Sequence, residues 1–333
     1  MAEIDFSKYK KVDDIVNDIK SVKIQGATNV AIATFEGMKI FIENYDRRAE
    51  NYDEFLEDLN RVGYNLAFAR ENEPLAKNGL KFVLRNLVTR NPGLRDVGEC
   101  REKVYDLCQE FLDLIADAKR KIIQNSVQIM DDVDEVFTHC HSSTAVSIIK
   151  NRAREVEGFK AVCTETRPLF QGRITATRLH EGGIDTILIV DNAAESFIID
   201  RGTHPVDVVF LGADEITMRG DAINKIGSWG IALASYFVSK PVYVVTPILK
   251  IEVETAYRPV KIEYRCTVHD SQDPTVCKRS DEVWKGAPKG LKMVNPAFEI
   301  INREFITGYI TELGIIKPED IGKVIQQEFQ WLF

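Results

Sequence analysis

No stretch of this 333-residue chain approaches the ~20 consecutive apolar residues of a membrane-spanning helix, so no transmembrane segment and no membrane partner is expected. The start, Met1-Ala2-Glu3-Ile4-Asp5-Phe6, lacks both the basic and the apolar part of a secretory signal, and a cytoplasmic location is the expectation. None of the six cysteines, Cys100, Cys108, Cys140, Cys163, Cys266 and Cys277, forms a C-x-x-C pair. That excludes the usual zinc and dithiol patterns, and without an export signal free thiols are expected rather than disulfides. His139-Cys140-His141 brings three metal-binding residue types together. Successive residues at a strand end point in different directions, however, so no metal site is expected there. An excess of basic charge is also missing. The net charge of -8 argues against nucleic acid as the main ligand, though not against a local basic pocket. No strand candidate runs into G-x-G-x-x-G, so the ordinary dinucleotide fingerprint is absent. There is no internal repeat and no low-complexity tract.

What remains is an ordinary globular composition, with 44% hydrophobic and 28% charged residues, long enough for one to three domains. The chain changes character near residue 130. Before it, helical periodicity dominates. Val104, Leu107, Cys108, Phe111, Leu114, Ile115, Ala118 and Ile122 form one apolar stripe on a long amphipathic helix, entered after the break Asn91-Pro92-Gly93. Helices are also expected over Val30–Tyr45, Tyr52–Ala76 and Leu80–Thr89. After it, strands at Glu135–Thr138, Lys160–Thr164, Thr186–Val190, Asp207–Leu211 and Val242–Val245 alternate with helices at Ser143–Glu155, Ile174–Glu181 and Ile223–Ser239. A final helix carries Pro318 near its start and runs toward Phe329. The polar segment Cys266–Gly290 reads as a long loop. The alternation implies βαβ units and a parallel sheet. The expected fold class is α/β, with an N-terminal helical domain (1–128) followed by a Rossmann-like parallel-sheet domain (129–333).

Two strands stop at reactive residues. The run Glu135–Thr138 leads into His139-Cys140-His141-Ser142-Ser143-Thr144, and the run Val208–Leu211 leads into Gly212-Ala213-Asp214-Glu215. Ligands of open parallel sheets bind outside the carboxyl ends of the strands. Cys140 is therefore either a buried structural thiol or a functional one poised at a helix start, where backbone N–H groups favour a thiolate or a bound anion. Asp214 is either a turn carboxylate or an acid–base group. Asn224-Lys225-Ile226-Gly227 could hold a phosphate or a sugar hydroxyl, or simply open a helix. Arg167 and Arg173, in Thr166-Arg167-Pro168 and Gln171-Gly172-Arg173, read either as a bidentate phosphate clamp or as surface ion pairs. Lys23-Ile24-Gln25-Gly26-Ala27-Thr28 is a glycine-containing turn opening a helix.

In this order, Thr138-His139-Cys140-His141-Ser142, Thr164-Glu165-Thr166-Arg167-Pro168, Gln171-Gly172-Arg173-Ile174-Thr175-Ala176, Gly212-Ala213-Asp214, Asn224-Lys225-Ile226-Gly227 and Asn295-Pro296-Ala297-Phe298-Glu299 resemble one superfamily. It joins methylthioribose-1-phosphate isomerases, archaeal ribose-1,5-bisphosphate isomerases and the regulatory subunits of translation initiation factor 2B. The resemblance covers nearly the whole chain. Cys140-His141-Ser142-Ser143 is most similar to the ribose-1,5-bisphosphate isomerase branch, because methylthioribose-phosphate isomerases typically carry Cys-Asn-x-Gly there. The translation-factor subunits generally lack the paired Cys and Asp.

The resemblance implies an aldose–ketose isomerase with Cys140 and Asp214 catalytic. It places Gln25, Gly26, Ala27, Arg70, Arg167, Arg173, Asn224, Lys225 and Lys250 at substrate-contact positions. Phosphate on O1 blocks spontaneous ring opening, so the reaction needs a proton for the ring oxygen and a hydrogen moved between C2 and C1. That calls for an acid–base pair and for no metal or redox cofactor. Cys140 is assigned to carbon and Asp214 to the ring oxygen, with the reverse open. The alternatives are a translation-factor-like subunit that senses a nucleotide or sugar phosphate, and a methylthioribose-1-phosphate isomerase. The expected partners are a small sugar phosphate and further copies of the chain, as a homodimer or a homohexamer built as a trimer of dimers. The block Asn295–Glu299 with Ile306–Thr311 is expected at the dimer contact. Two departures stand out: Gln25 replaces the isomerases' usual arginine before Gly26-Ala27, and Ser228-Trp229 follows Gly227.

Overall fold

The computed structural model describes residues 11–45, 51–200 and 204–333. The N-terminal residues Met1–Phe6 lie outside them. Helices α1 (Val12–Lys20), α2 (Ala27–Asn44), α3 (Tyr52–Ala67), α4 (Pro74–Arg90) and α5 (Val97–Ser126) form the helical region. They pack through Phe35, Met38, Phe55, Leu66, Leu75 and Phe111, all fully buried. The expected helix over Tyr52–Ala76 stops at Ala67 instead, and α4 starts at Pro74. Proline disfavours helical backbone at the residue before it, so the chain turns through 68–73 and α4 begins with proline in its first turn. The stripe on α5 is buried as expected except for Leu114, which is 42% exposed. Helical geometry turns it about 100° away from Ile115.

The rest of the chain builds β1 (Glu135–Thr138), α6 (Ser143–Arg152), β2 (Lys160–Thr164), α7 (Gln171–Glu181), β3 (Asp185–Ile189), α8 (Ala194–Ile199) and β4 (Val208–Leu211). A hairpin, β5 (Glu215–Thr217) and β6 (Ala222–Lys225), leads to α9 (Ser228–Phe237), β7 (Val242–Val245) and β8 (Ile251–Glu252). Then come β9 (Val268–His269), β10 (Val276–Arg279), α10 (Asp281–Trp284), β11 (Met293–Val294), β12 (Phe298–Ile301), β13 (Gly308–Thr311), β14 (Gly314–Ile316) and α11 (Ile321–Glu328). The main sheet has seven strands in the order β14-β13-β7-β4-β1-β2-β3. All its pairs are parallel except β13–β14. Alternate residues of β1 and β4 face opposite sides. Phe137 and Val209 join the core shared with the helical region, while Val136 and Phe210 join a second core under α6 and α7. Both faces are covered, as parallel sheets require.

Four expectations are corrected. The helix expected over Ile223–Ser239 is strand β6, paired to β5 and β12, followed by α9. Gly227, at φ 103°, makes the turn between them. The segment Cys266–Gly290 is not a plain loop, for it contributes β9 and β10 to a three-stranded sheet with β11. Not all cysteines are free: Cys266 and Cys277 form a disulfide across that small sheet. Finally, Tyr309 and Ile310 are wholly buried in β13, between β7 and β14, so Ile306–Thr311 completes the core instead of facing a partner. Among the described residues, no helix is long and apolar enough to cross a membrane.

Glycine at 172 is dictated by packing, because a Cβ there would lie 1.8 Å from the Thr164 carbonyl oxygen. Gly172→Ala should therefore force the β2–α7 turn apart and cost about 1–3 kcal/mol, read as a lower urea midpoint with unchanged slope. An unchanged midpoint would show that the turn yields freely.

Candidate active site

Strand order reverses between β1 and β4: one neighbour leads back through β2 to β3, the other on to β7. Connections on either side of such a reversal run to opposite faces, which leaves a crevice at the strands' carboxyl ends. Cys140 follows β1 and Asp214 follows β4, so both stand at that crevice. It opens into a cavity of about 610 Å³ lined by both residues.

The backbone at Cys140 is held in the left-handed region, φ 66°, as are Thr166 at 64° and Phe170 at 55° beyond β2. Such conformations cost an L-residue roughly 1–2 kcal/mol each and persist only where surroundings impose them. Here Cys140 N–H donates to Thr166 Oγ1 at 3.0 Å, and Thr175 Oγ1 donates to Cys140 O at 2.7 Å. His139 is fixed behind it. Its Nε2 faces the Ile226 carbonyl at 2.9 Å and must donate, so Nδ1 accepts from Thr164 Oγ1 at 2.6 Å. Burial pushes His139 down to about 4, and it is a neutral structural bridge between β2 and the β6–α9 turn. Among the described residues, no group of three or more His, Cys, Asp or Glu is gathered to hold a metal ion.

Among the described residues six cations line the cavity, Arg70, Lys119, Arg178, Lys225, Lys250 and Arg265, against one lining carboxylate, Asp214. Lys250 is anchored by its Nζ donating to Ala213 O at 2.7 Å, beside Asp214. Burial lowers its pKa, with Asp214 and Glu73 opposing. Lys225 lies 4.8 Å from the Phe298 ring centre, and burial lowers it too. Glu263 bridges two arginines: Arg70 Nη2 donates to it at 2.7 Å and Arg265 Nε at 2.7 Å. Burial works to raise the Glu263 carboxyl, but Arg70 and Arg265 hold it below its usual range. On its other side Arg70 meets Glu73 at 3.0 Å, and burial pushes that carboxyl up to about 7.

Of the residues expected at the site, Gln25, Gly26, Ala27, Arg70, Cys140, Asp214, Asn224, Lys225 and Lys250 all line this one cavity. Arg167 and Arg173 do not. They flank the Phe170 ring, Arg173 bonded to Glu165 at 2.8 Å and Arg167 to the Val283 carbonyl at 2.9 Å. Sequence reasoning passed over Lys119, Arg178 and Arg265. Lys119 sits one helical turn beyond the cavity-facing Ile115 and Ala116 on α5, and Arg178 two turns beyond Gln171 on α7, which periodicity could have revealed. Arg265 stands just before the segment Cys266–Gly290 that reads as a loop. Gln25 accepts from Gln171 Nε2 at 2.8 Å, and Gln171 Oε1 is buried without a partner among the described residues. Trp229 now has a place: its Nε1 donates to Asn302 at 2.9 Å, and its N–H, with that of Gly227, donates to Glu299.

A parallel sheet with a reversal point, opposite a helical region that closes a cationic cavity, defines an α/β protein of Rossmann-like class. Residues 23–318 match the initiation factor 2 subunit family, and the chain belongs to that family. It is 32% identical over 324 residues to the ribose 1,5-bisphosphate isomerase of Thermococcus kodakarensis, covering 97% of this chain and 96% of that one. It is 31% identical over 333 residues to the enzyme of the same name from Methanocaldococcus jannaschii, covering 100% and 98%. A crystal structure of translation initiation factor eIF-2B from Pyrococcus horikoshii shares the fold, with a TM-score of 0.73 at 24% identity over 92% of this chain and 97% of that one.

Burial pushes the Cys140 thiol up to about 11, Lys225 pulls it back down and Asp214 adds to the rise. A thiol reacts as its thiolate, whose fraction grows about tenfold per pH unit below the pKa. Iodoacetamide labelling of Cys140, followed by peptide mass spectrometry, should accelerate accordingly from about pH 7 to about pH 10. Lys225→Met should slow it at every pH by removing the cation that favours the thiolate. A flat profile would contradict this electrostatic picture.

Proposed function

We propose that this chain is an aldose–ketose isomerase that converts ribose 1,5-bisphosphate to ribulose 1,5-bisphosphate. The observation that carries the reading is a thiol and a carboxylate at the ends of neighbouring strands, facing one cavity lined by six cations. The full-length relatives named for this reaction support it.

In the proposed sequence Asp214 gives a proton to the ring oxygen as its bond to C1 breaks. Cys140 takes the hydrogen of C2 and returns it to C1. The proton leaving the C2 hydroxyl, as C2 becomes a carbonyl, reloads Asp214. Atoms and electrons balance within the substrate, so no redox cofactor enters. Lys225 stabilises the thiolate form of Cys140, and Lys250 and Arg70 anchor the 1-phosphate beside Asp214. At position 25 a neutral amide paired with Gln171 replaces the guanidinium usual in the isomerases, so one charged phosphate contact becomes a neutral hydrogen bond.

We further infer that the chain self-associates through α9. Trp229, Leu233, Tyr236 and Phe237 share one face of that helix and stay exposed, Phe237 at 80%.

Purified protein incubated with ribose 1,5-bisphosphate, and separately with methylthioribose 1-phosphate, should yield a ketose only from the first, identified by NMR. Cys140→Ser and Asp214→Asn should each lower turnover about 10²–10⁴-fold with the fold retained by circular dichroism. Turnover close to that of the unaltered protein in either variant would remove that residue from the chemistry. In light scattering the protein should run at a multiple of 37.8 kDa, and Phe237→Glu should dissociate it. A single species at the chain mass would refute the assembly.

A further inference from the structure

The turn between α3 and α4 carries a carboxyl that the acid–base pair does not use. Glu73 is 1% exposed and stands at the N-terminal cap of α4, yet its side chain makes no capping hydrogen bond. The next residue, Pro74, has no N–H to offer. Among the described residues neither oxygen of the Glu73 carboxyl has a hydrogen-bond donor. What holds it is charge: Arg70 Nη1 stands 3.0 Å away, close enough to attract but not aligned to donate. Buried polar groups normally find hydrogen-bond partners, and a carboxylate without them is costly to keep ionised.

Arg70 shows the matching gap. It lines the cavity and is itself buried. Its Nε and Nη2 donate to Glu263 at 3.2 and 2.7 Å, while its Nη1 has no acceptor among the described residues. One guanidinium nitrogen of a cavity-lining arginine is thus left without a hydrogen bond, beside a carboxyl that also lacks one.

The charges around Glu73 come from four places. Arg70 acts from the same turn, Asp214 from the end of β4, Glu263 from the approach to the small sheet and Lys250 from the turn before β8. Arg265 joins through Glu263 at 2.7 Å. With all of these ionised, Arg70, Arg265 and Lys250 balance Glu73, Glu263 and Asp214. A dianion docking on Arg70 tips that balance toward the negative, and Glu73 is the carboxylate with no hydrogen bond to keep it ionised. A like charge set beside a carboxylate favours its protonated form. In the empty protein burial already pushes this carboxyl up to about 7, Arg70 and Lys250 opposing and Asp214 and Glu263 adding.

We propose that Glu73 is a positioning residue which holds the Arg70 guanidinium in the empty cavity and yields it to a phosphate dianion by taking up a proton from solvent. This rests on the reading that places the reacting-end phosphate at Arg70 and Lys250. Anion binding is then coupled to protonation of one buried carboxyl. Below about pH 7 Glu73 is already neutral and binding takes up no proton; above it each bound dianion brings one in, so affinity falls as pH rises.

The first test is calorimetric binding of sulfate, a dianion that does not itself titrate near neutral pH. In the unaltered protein the dissociation constant should rise about 10- to 100-fold from about pH 6 to about pH 9. Glu73→Gln, neutral throughout, should match it at the lower pH and bind about 10-fold more tightly at the higher. The cavity lysines are common to both proteins and drop out of the comparison. If Glu73 merely propped Arg70 in place, the variant would bind more weakly at both pH values, and that result would overturn the proposal. Should Glu73→Gln fail to fold by circular dichroism, the unaltered protein decides. Sulfate binding at about pH 8, in buffers of different ionisation enthalpy, should then show uptake of about one proton, and no uptake would overturn the proposal. With ribose 1,5-bisphosphate at about pH 9, Glu73→Gln should lower KM by a similar factor and change kcat less. If the unaltered protein does not turn over that sugar, the isomerase reading fails while the sulfate measurements still decide the role of Glu73.

Discussion

The site depends on one partly buried carboxylate held between two guanidinium groups. Glu263 accepts from Arg70, which comes from the turn after α3, and from Arg265, which comes from the approach to the small three-stranded sheet. Asn72 repeats the connection, donating to Glu215 at 2.9 Å and to the Lys261 carbonyl at 2.8 Å. These contacts fasten the helical region to the sheet region directly beside the cavity. Removing one partner of a buried ion pair strands the other charge, at a cost of about 3–5 kcal/mol, so the bridge also sets where the cavity's roof sits. The cations it holds would otherwise repel one another. Glu263 and Glu73 offset part of that charge, and the remainder is available to an anionic ligand.

A second constraint is steric. The reversal of strand order between β1 and β4 fixes where a ligand can enter. The chain then spends strain at that point, in the left-handed backbone of Cys140 and Thr166. The strain is held by hydrogen bonds from Thr164, Thr166 and Thr175 to the one chain segment that carries His139 and Cys140. A thiol on a rigid, over-determined turn keeps a fixed place at the mouth of the crevice.

Much of this was legible beforehand. The strands Glu135–Thr138, Lys160–Thr164 and Val242–Val245 were expected with the bounds they have, because continuous apolar runs between turn residues signal buried parallel strands. The reactive ends of Glu135–Thr138 and of Val208–Leu211 pointed to Cys140 and Asp214. What was missed shares a physical reason, namely that its signal is tertiary. Ile223-Asn224-Lys225 becomes a strand only because β5 and β12 pair with it. The turn carrying Arg70, Asn72 and Glu73 looked helical until Pro74 and the Glu263 contact are considered together. Cys266 and Cys277 are separated by 11 residues, and only the antiparallel fold of the small sheet brings them together. Arg167 and Arg173 had the right residue type at the right turn, yet Phe170 and Glu165 hold both outside the cavity.

The central claim is that one cationic cavity holds a sugar bisphosphate and presents its C1–C2 edge to Cys140 and its ring oxygen to Asp214. A crystal structure of the Cys140→Ser variant with ribose 1,5-bisphosphate tests it most directly. The account predicts the phosphate at the reacting end against Arg70 and Lys250, residue 140 facing C1 and C2, and Asp214 within hydrogen-bond distance of the ring oxygen. A ligand bound outside the cavity, or one turned so that Asp214 faces C2 instead of the ring oxygen, would contradict it.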